Sequence, residues 1–328
     1  MSHYKVGIIG LWHIASKHIE VLQKLGVENI YGYDIHREKI QAFEEKYTIR
    51  GCKSATEIID TCDIISVCTP HDTHMEYISG IHAKGKISLC EKPLCIHTSE
   101  WWVFQNTFPE NSYIMLQNRY NLAVQEAKKT LDSGILWEIY HIKGYTQWNR
   151  DDAYYQWSSW KGKKKREGGM LYNQAIHNLD TALWLSHFSE RALWDIQILQ
   201  ATKERFRIFP IETEDFFSCT LKLWEIVYDF SILTYGDREH HENSLLFLGT
   251  KWSLKIGGKA LNQIEYICGT DIQTSENRGE AVNDIYGSGH YKIYKDLLGN
   301  NTQNIPRFAD GMLSVALIEK LYEKSEQN

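Results

Sequence analysis

The chain has 328 residues with ordinary globular usage, 43% hydrophobic and 24% charged, and 36 basic against 42 acidic side chains give a net charge of −6. That size and make-up fit two packed domains and exclude a disordered chain. No apolar stretch reaches the roughly 20 residues of a membrane helix, and the acidic balance argues against nucleic-acid partners.

The N-terminus carries no basic leader region, and seven cysteines without a CxxC spacing read as buried small hydrophobes of a reducing compartment. The cytoplasm is the expected location.

Short apolar runs open the chain: Lys5–Ile9, Asn29–Tyr33, Ile64–Cys68, Ile87–Cys90 and Tyr113–Leu116. Amphipathic stretches such as Ser16–Leu25 and His36–Lys46 lie between them. Strands alternating with helices predict a parallel sheet covered on both faces, a doubly wound α/β domain over residues 1–120. After a helix at Leu122–Ser133 the pattern changes to Trp137–Tyr145, Leu193–Ala201, Phe216–Leu223, Ile226–Leu233, Ser244–Leu248 and Trp252–Ile256. Several of these alternate polar and apolar residues. Residues 121–328 are therefore expected to form an α+β domain with a largely antiparallel open sheet. Helices are expected at Ile176–Leu185 and Phe308–Glu323, the latter packing back along Leu313, Leu317 and Leu321.

Chemistry-bearing residues collect at the carboxyl ends of the first-domain strands, where open α/β sheets bind ligands. The turn Gly10-Leu11-Trp12-His13-Ile14-Ala15 follows the first strand. A dinucleotide turn wants Gly-x-Gly-x-x-Gly/Ala, and Gly10 and Ala15 meet its first and third requirements. Trp12 stands where backbone should approach a diphosphate. Either the turn shifts and the cofactor still binds, or the indole fills the site and the chain is a catalytically retired sugar-nucleotide binder or assembly partner.

Asp34 ends the second strand, where a carboxylate accepts ribose hydroxyls and repels a 2′-phosphate; it would also serve as an ordinary helix cap. Arg37 nearby could stack on adenine or tolerate that phosphate. NAD is thus expected, with NADP open. Thr69-Pro70-His71-Asp72-Thr73-His74 reads as a cofactor-lining loop. His71 and His74 have no carboxylate or thiolate converging on them, so no metal is expected. Glu91-Lys92-Pro93 places an amine at a further strand end, where it could polarise a substrate oxygen. In Gly168-Gly169-Met170-Leu171-Tyr172-Asn173-Gln174-Ala175-Ile176-His177-Asn178-Leu179-Asp180, helical spacing puts Asn173, His177 and Asp180 on one face. His177 titrates near neutrality and is the natural general base.

Taken in order, these segments resemble the glucose–fructose oxidoreductase/inositol dehydrogenase/MocA family of NAD(P)-dependent dehydrogenases. Gln117-Asn118-Arg119-Tyr120, Leu248-Gly249-Thr250-Lys251-Trp252-Ser253-Leu254 and Gly289-His290-Tyr291 extend the likeness along nearly the whole chain. The resemblance implies a Rossmann domain, a substrate domain whose sheet mediates dimer or tetramer contacts, and hydride transfer between a carbinol and nicotinamide. It makes Lys92 the active-site lysine and His177 the catalytic histidine. Asn173 falls four positions before that histidine, where members have Asp or Asn, and as an amide it can orient hydroxyls but not take a proton.

Tyr154-Tyr155, Ser159-Trp160-Lys161-Gly162 and the Gly168–His177 block look like the branch acting at C3 of UDP-N-acetylglucosaminuronate, which serves polysaccharide synthesis. An inositol or free-sugar dehydrogenase is the alternative within the family. The implied substrate contacts are Arg119, Tyr155, Trp160, Lys161, Asn173 and His177. The run Lys161 to Arg166 could hold a diphosphate or carboxylate, or be a solvated basic loop at an oligomer contact.

Overall fold

A computed structural model describes residues 4–100, 110–236, 241–268 and 287–327, and the side chain of Cys268 lies outside the described set. The chain divides into two compact units, Met1–Leu116 with His290–Met312, and Gln117–Gly289 with Leu313–Asn328. The sequence places the boundary near residue 120 but gives no sign that residues 290–312 return to the first unit.

In the first unit β1 (Val6–Ile9), β2 (Ile30–Tyr33), β3 (Arg50–Gly51), β4 (Ile64–Val67), β5 (Ile87–Cys90) and β6 (Ser112–Ile114) form a parallel sheet of order β3-β2-β1-β4-β5-β6. That is the doubly wound order, with its switch point between β1 and β4. The central strands β1 and β4 are buried at every position, as strands covered on two faces must be. Helices α1 (His13–Lys24), α2 (Arg37–Lys46), α3 (Ala55–Thr61) and α4 (His74–Ala83) connect them. Sequence periodicity alone does not reveal β3, α3 or α4. The first two are short, and α4 starts inside what reads as a loop. The returning segment lies on β6, where Ile114 N–H donates to Pro306 at 2.9 Å.

In the second unit α5 (Leu122–Asp132) precedes β7 (Ile139–Trp148), and short helices α6 (Asp152–Gln156) and α7 (Lys164–Glu167) follow it. A π-helical turn at Leu171–Ala175 runs into α8 (Ile176–Leu185), and a single turn, α9 (Ala192–Asp195), precedes the next strand. Strands β8 (Gln197–Glu204), β9 (Phe216–Leu223), β10 (Ile226–Leu233), β11 (His241–Gly249), β12 (Ser253–Gly257) and β13 (Gln263–Cys268) complete a seven-stranded sheet. Its order is β13-β12-β11-β7-β10-β9-β8, antiparallel except where β10 runs parallel to β7. The largely antiparallel expectation holds.

Gly144 of β7 shows how closely α8 lies on this sheet: a Cβ there would stand 2.3 Å from Phe230 and 2.6 Å from Asn178. The chain ends with α10 (Gly289–Leu298) and α11 (Phe308–Ser325). On α11 the buried face includes Ser314, Val315, Leu317, Ile318 and Leu321, while Leu313 is only half-buried.

Candidate active site

Gly10 opens the turn after β1 with φ +94°, and a Cβ would lie 2.7 Å from the Cys68 backbone. Only glycine fits, because a side chain would meet both the positive φ and the Cys68 backbone, at the strand-to-helix turn where a dinucleotide's diphosphate approaches. The residues present thus make the cradle a dinucleotide needs. Leu11 N–H and His36 N–H each donate to Asp34 at 2.9 Å, so the carboxylate is fixed at the end of β2 with 6% of its surface exposed.

Trp12 caps α1 in an extended conformation, and Lys39 Nζ lies 3.5 Å from the centre of its indole and 3.6 Å from Asp34 Oδ2. The bulky residue in the turn therefore has a partner on α2: a cation–π contact holds it beside the carboxylate. Burial, opposed by Asp34, lowers the Lys39 pKa. Sequence spacing did not single out Lys39, because its role needs α2 to fold over the turn. His13 and Arg37 are exposed and Ile14 is half-buried.

The loop after β4 and the turn after β5 are tied together from beneath. His74 is fully buried, with Nδ1 2.7 Å from Pro93 O and Nε2 2.8 Å from Thr69 O. Burial lowers its pKa. It braces the carbonyls of Thr69 and Pro93 at the position where a cofactor-lining residue is expected. His71 is also buried, 5.9 Å ring to ring from His74.

Glu91 sits at the end of a buried hydrogen-bond chain. Ser66 Oγ lies 2.6 Å from the Tyr294 hydroxyl, which lies 2.6 Å from His18 Nδ1, and His18 Nε2 is 2.9 Å from Glu91 Oε1. His290 Nε2 is 3.5 Å from the same oxygen. Burial pushes the Glu91 carboxyl up, but the hydrogen bonds and charge of His18 and His290 outweigh it and hold the group well below the usual range. Glu91 Oε2 accepts from the Lys92 backbone N–H at 3.3 Å, so this network fixes the peptide that carries the lysine.

Among the described residues, His18, Glu91 and His290 bring ligand-type atoms within 4.8 Å of one another. Both His18 nitrogens already meet Tyr294 and Glu91, the pattern of a buried hydrogen-bond network. Tyr294 stands 276 positions from His18, too far for spacing to reveal.

In the second unit His177 Nε2 lies 3.2 Å from the Gln117 amide, which helps fix the ring's orientation. Asn173 occupies the π-helical turn, a distortion that often marks functional sites. Its Nδ2 donates to the Tyr154 hydroxyl at 3.1 Å and to Glu167. Gln174 also donates to Tyr154, at 3.0 Å, and accepts from Arg150 at 2.8 and 3.0 Å.

Lys161 Nζ sits 3.8 Å over the Tyr154 ring. Burial, helped by the Arg150 charge, lowers its pKa to about 8. Burial raises Glu167 to about 7. The basic run therefore divides. Lys161 belongs to this cluster, whereas Lys163, Lys164 and Lys165 are exposed on or beside α7 and Lys164 pairs with Glu326 at 3.0 Å. Trp160 is half-buried, with its ring 5.9 Å from Lys161 Nζ.

Two expected substrate contacts have other partners. Arg119 makes a two-pronged pair with Asp180, Nε to Oδ2 at 2.9 Å and a terminal nitrogen to Oδ1 at 2.7 Å, with both side chains buried. Asp180 thus faces Arg119 and leaves the Asn173–His177 pair. Tyr155 is buried against Gly162, with the Arg207 guanidinium 4.8 Å from its ring centre. Gln117, Glu167, Arg150 and Tyr154 are the groups absent from the expected site.

A doubly wound sheet with this glycine turn and acidic strand end is the form of a dinucleotide-binding domain. Comparisons agree: a sequence family described as "Oxidoreductase family, NAD-binding Rossmann fold" matches residues 4–118, and the "GFO/IDH/MocA C-terminal domain" matches 124–255. The chain belongs to the Gfo/Idh/MocA oxidoreductase family. It is 27% identical over 195 residues to glucose-6-phosphate 3-dehydrogenase of Bacillus subtilis, covering 55% of this chain and about half (53%) of that relative. D-glucoside 3-dehydrogenase of Escherichia coli is 24% identical over 351 residues, 99% of this chain and 96% of the relative. A similar fold occurs in the WlbA dehydrogenase of Bordetella pertussis, solved with NADH and UDP-GlcNAcA (TM-score 0.85, 22% identity, 100% and 97% of the chains).

NAD at millimolar concentration is expected to raise the melting temperature by mass action, and NADP to raise it less because Asp34 opposes a 2′-phosphate. Equal shifts would remove Asp34 from that role. No shift with either, regained in Trp12→Gly, would mean that the indole closes the turn.

Proposed function

We propose that this NAD-dependent oxidoreductase removes a hydride from a ring carbinol of a sugar, and that the sugar is a nucleotide sugar of the UDP-N-acetylglucosaminuronate type oxidised at C3. The supporting observation is the cluster one helical turn before His177, where Lys161 and Arg150 flank Tyr154 and the amides of Asn173 and Gln174. Two cations beside an aromatic ring and two amides suit an anionic, hydroxyl-rich ligand. The nicotinamide, when bound, supplies the hydride acceptor.

His177 takes the hydroxyl proton as its ring is held by Gln117. The Lys92 ammonium steadies negative charge developing on that oxygen, with its peptide anchored by Glu91. Asn173 orients a neighbouring hydroxyl. In the reverse direction the same groups deliver a proton to a ketone. We further propose self-association through the sheet face opposite α8, which carries Lys143, Tyr145, Thr220 and Asp229, and a reducing compartment, in keeping with six buried free thiols among the described residues.

The test is NADH formation with UDP-N-acetylglucosaminuronate, glucose 6-phosphate, uncharged glucosides and myo-inositol. Turnover of the UDP-sugar is expected to exceed the others. Oxidation confined to uncharged glucosides or inositol would replace the nucleotide-sugar assignment, and no oxidation of any would reject the sugar reading.

A further inference from the structure

A dinucleotide turn tolerates a tryptophan only where the ring lies off the path of the diphosphate. Leu11 is buried, and its side chain would stand 3.3 Å from a Cβ at Gly32. Trp12 follows it in extended backbone, φ −110° and ψ −173°, with a half-buried side chain that leaves the core. Its ring has two directions to take. In the sheet order β4 borders the crevice on one side of β1, and β2 stands on the other.

Lys39 decides between them. It projects from α2, which packs on β2 and β3, and its Nζ lies 3.5 Å from the indole centre. Its contact with Asp34 Oδ2, at 3.6 Å, is longer than an N–H···O hydrogen bond, so the ring is a full partner of the ammonium. The lysine side chain is only 23% exposed, and partial desolvation strengthens a cation–π contact. The indole is thereby drawn to the β2 side, away from the switch point between β1 and β4. Helix α1 has no side-chain cap from Trp12 and no acidic residue in its first turn. Its positive end suits a diphosphate, provided that nothing lies across it.

We propose that Lys39 is a positioning residue for the cofactor: by holding the Trp12 indole on the α2 side, it keeps the Gly10 turn open to the NAD diphosphate. A tryptophan at the second glycine position is then compatible with binding, because a separate helix carries the bulk aside. Asp34 stays in place without the lysine, since Leu11 N–H and His36 N–H each donate to it at 2.9 Å. The effect of losing Lys39 therefore runs through the indole and disappears when the indole is removed.

The test is a double-mutant cycle of Lys39→Met and Trp12→Gly on the full chain. It is read as the dissociation constant of NAD by titration calorimetry, with the ligand-free melting temperature as a check on folding. Methionine keeps an unbranched apolar stem and removes the charge. Lys39→Met is expected to weaken NAD about tenfold, because the freed indole crosses the turn. Trp12→Gly binds NAD at least as tightly as wild type, and adding Lys39→Met to it changes the affinity by less than about twofold. Lys39→Arg keeps a cation over the ring and stays within about threefold of wild type. If Trp12→Gly does not fold, Trp12→Ser takes its place, as serine is a strong N-cap.

Equal weakening by Lys39→Met in both backgrounds would overturn the proposal and make Lys39 a direct charge partner of the dinucleotide. Wild-type affinity in Lys39→Met would overturn it too. So would weaker binding in Trp12→Gly, which would make the indole itself a contact of the cofactor. A wild type that binds no NAD has the same consequence, since the turn is then closed in spite of the lysine. None of these readouts needs turnover, so a failed sugar assignment leaves the test intact.

Discussion

Replacing His177 with alanine is expected to lower turnover by about two to four orders of magnitude, the usual contribution of a positioned general base. Of the side-chain types on this helical face, an imidazole is the one that ordinarily changes charge around neutral pH and so suits a proton acceptor. Its Nε2 meets the Gln117 amide at 3.2 Å, so the imidazole is oriented before any substrate arrives. The half-buried side chain is not a core element, and the fold should survive its removal. The NAD-induced thermal shift should therefore persist in His177→Ala while sugar oxidation collapses. Wild-type turnover in this variant would remove the residue from proton transfer, and loss of the thermal shift as well would point to structural damage.

The second large effect concerns stability. Arg119 and Asp180 form a buried two-pronged pair, with side-chain exposures of 8% and 3%, and Ser314 Oγ lies 3.3 Å from Asp180 Oδ1. Asp180→Ala leaves a guanidinium in a dry environment without its counter-charge. Breaking such a pair costs about 3–5 kcal/mol, far more than losing an exposed ion pair. Denaturant unfolding of Asp180→Ala should show a loss of that order. Removing both partners together should cost less than the sum of the single changes, because no charge is then stranded. A loss below about 1 kcal/mol in Asp180→Ala would show that water reaches the arginine or that another group replaces the carboxylate.

These expectations divide the histidine helix into two functions. In the proposed mechanism Asn173 and His177 serve the site, whereas Asp180, one turn further on, ties the helix to Arg119. Helical periodicity places all three on one face and cannot separate them. Asp180 is buried and His177 is half-buried, a difference set by what packs against each turn. The π-helical segment adds to this, since its wider turn changes how Asn173 lies relative to the residues that follow.

The same distinction runs through the basic segment after Trp160. In the sequence Lys161 to Arg166 form a single cationic run. In the fold Lys161 turns inward over Tyr154 while Lys163, Lys164 and Lys165 remain in water. Desolvation makes Lys161 the chemically distinct member, at about 8. Charge patterning alone gives every lysine in a run the same status.

Local order by itself determined much of this protein. Apolar runs separated by amphipathic helices specify a doubly wound sheet, because a strand buried on both faces must be apolar throughout and its crossover must cover it. The glycine after β1, the acidic end of β2 and the Glu91-Lys92-Pro93 turn could be read directly, since each depends on backbone geometry within a few residues. The helix at Ile176–Leu185 and the strands Phe216–Leu223 and Ile226–Leu233 were likewise written in periodicity. Tertiary structure alone decided that Lys39 holds Trp12, that Tyr294 and His18 stand behind Glu91, that Arg119 pairs with Asp180, and that Asn173 donates to Glu167. Each of these joins side chains through burial and hydrogen bonding across separate elements. Such contacts carry no periodic signature along the chain and exist only once packing has excluded water from between them.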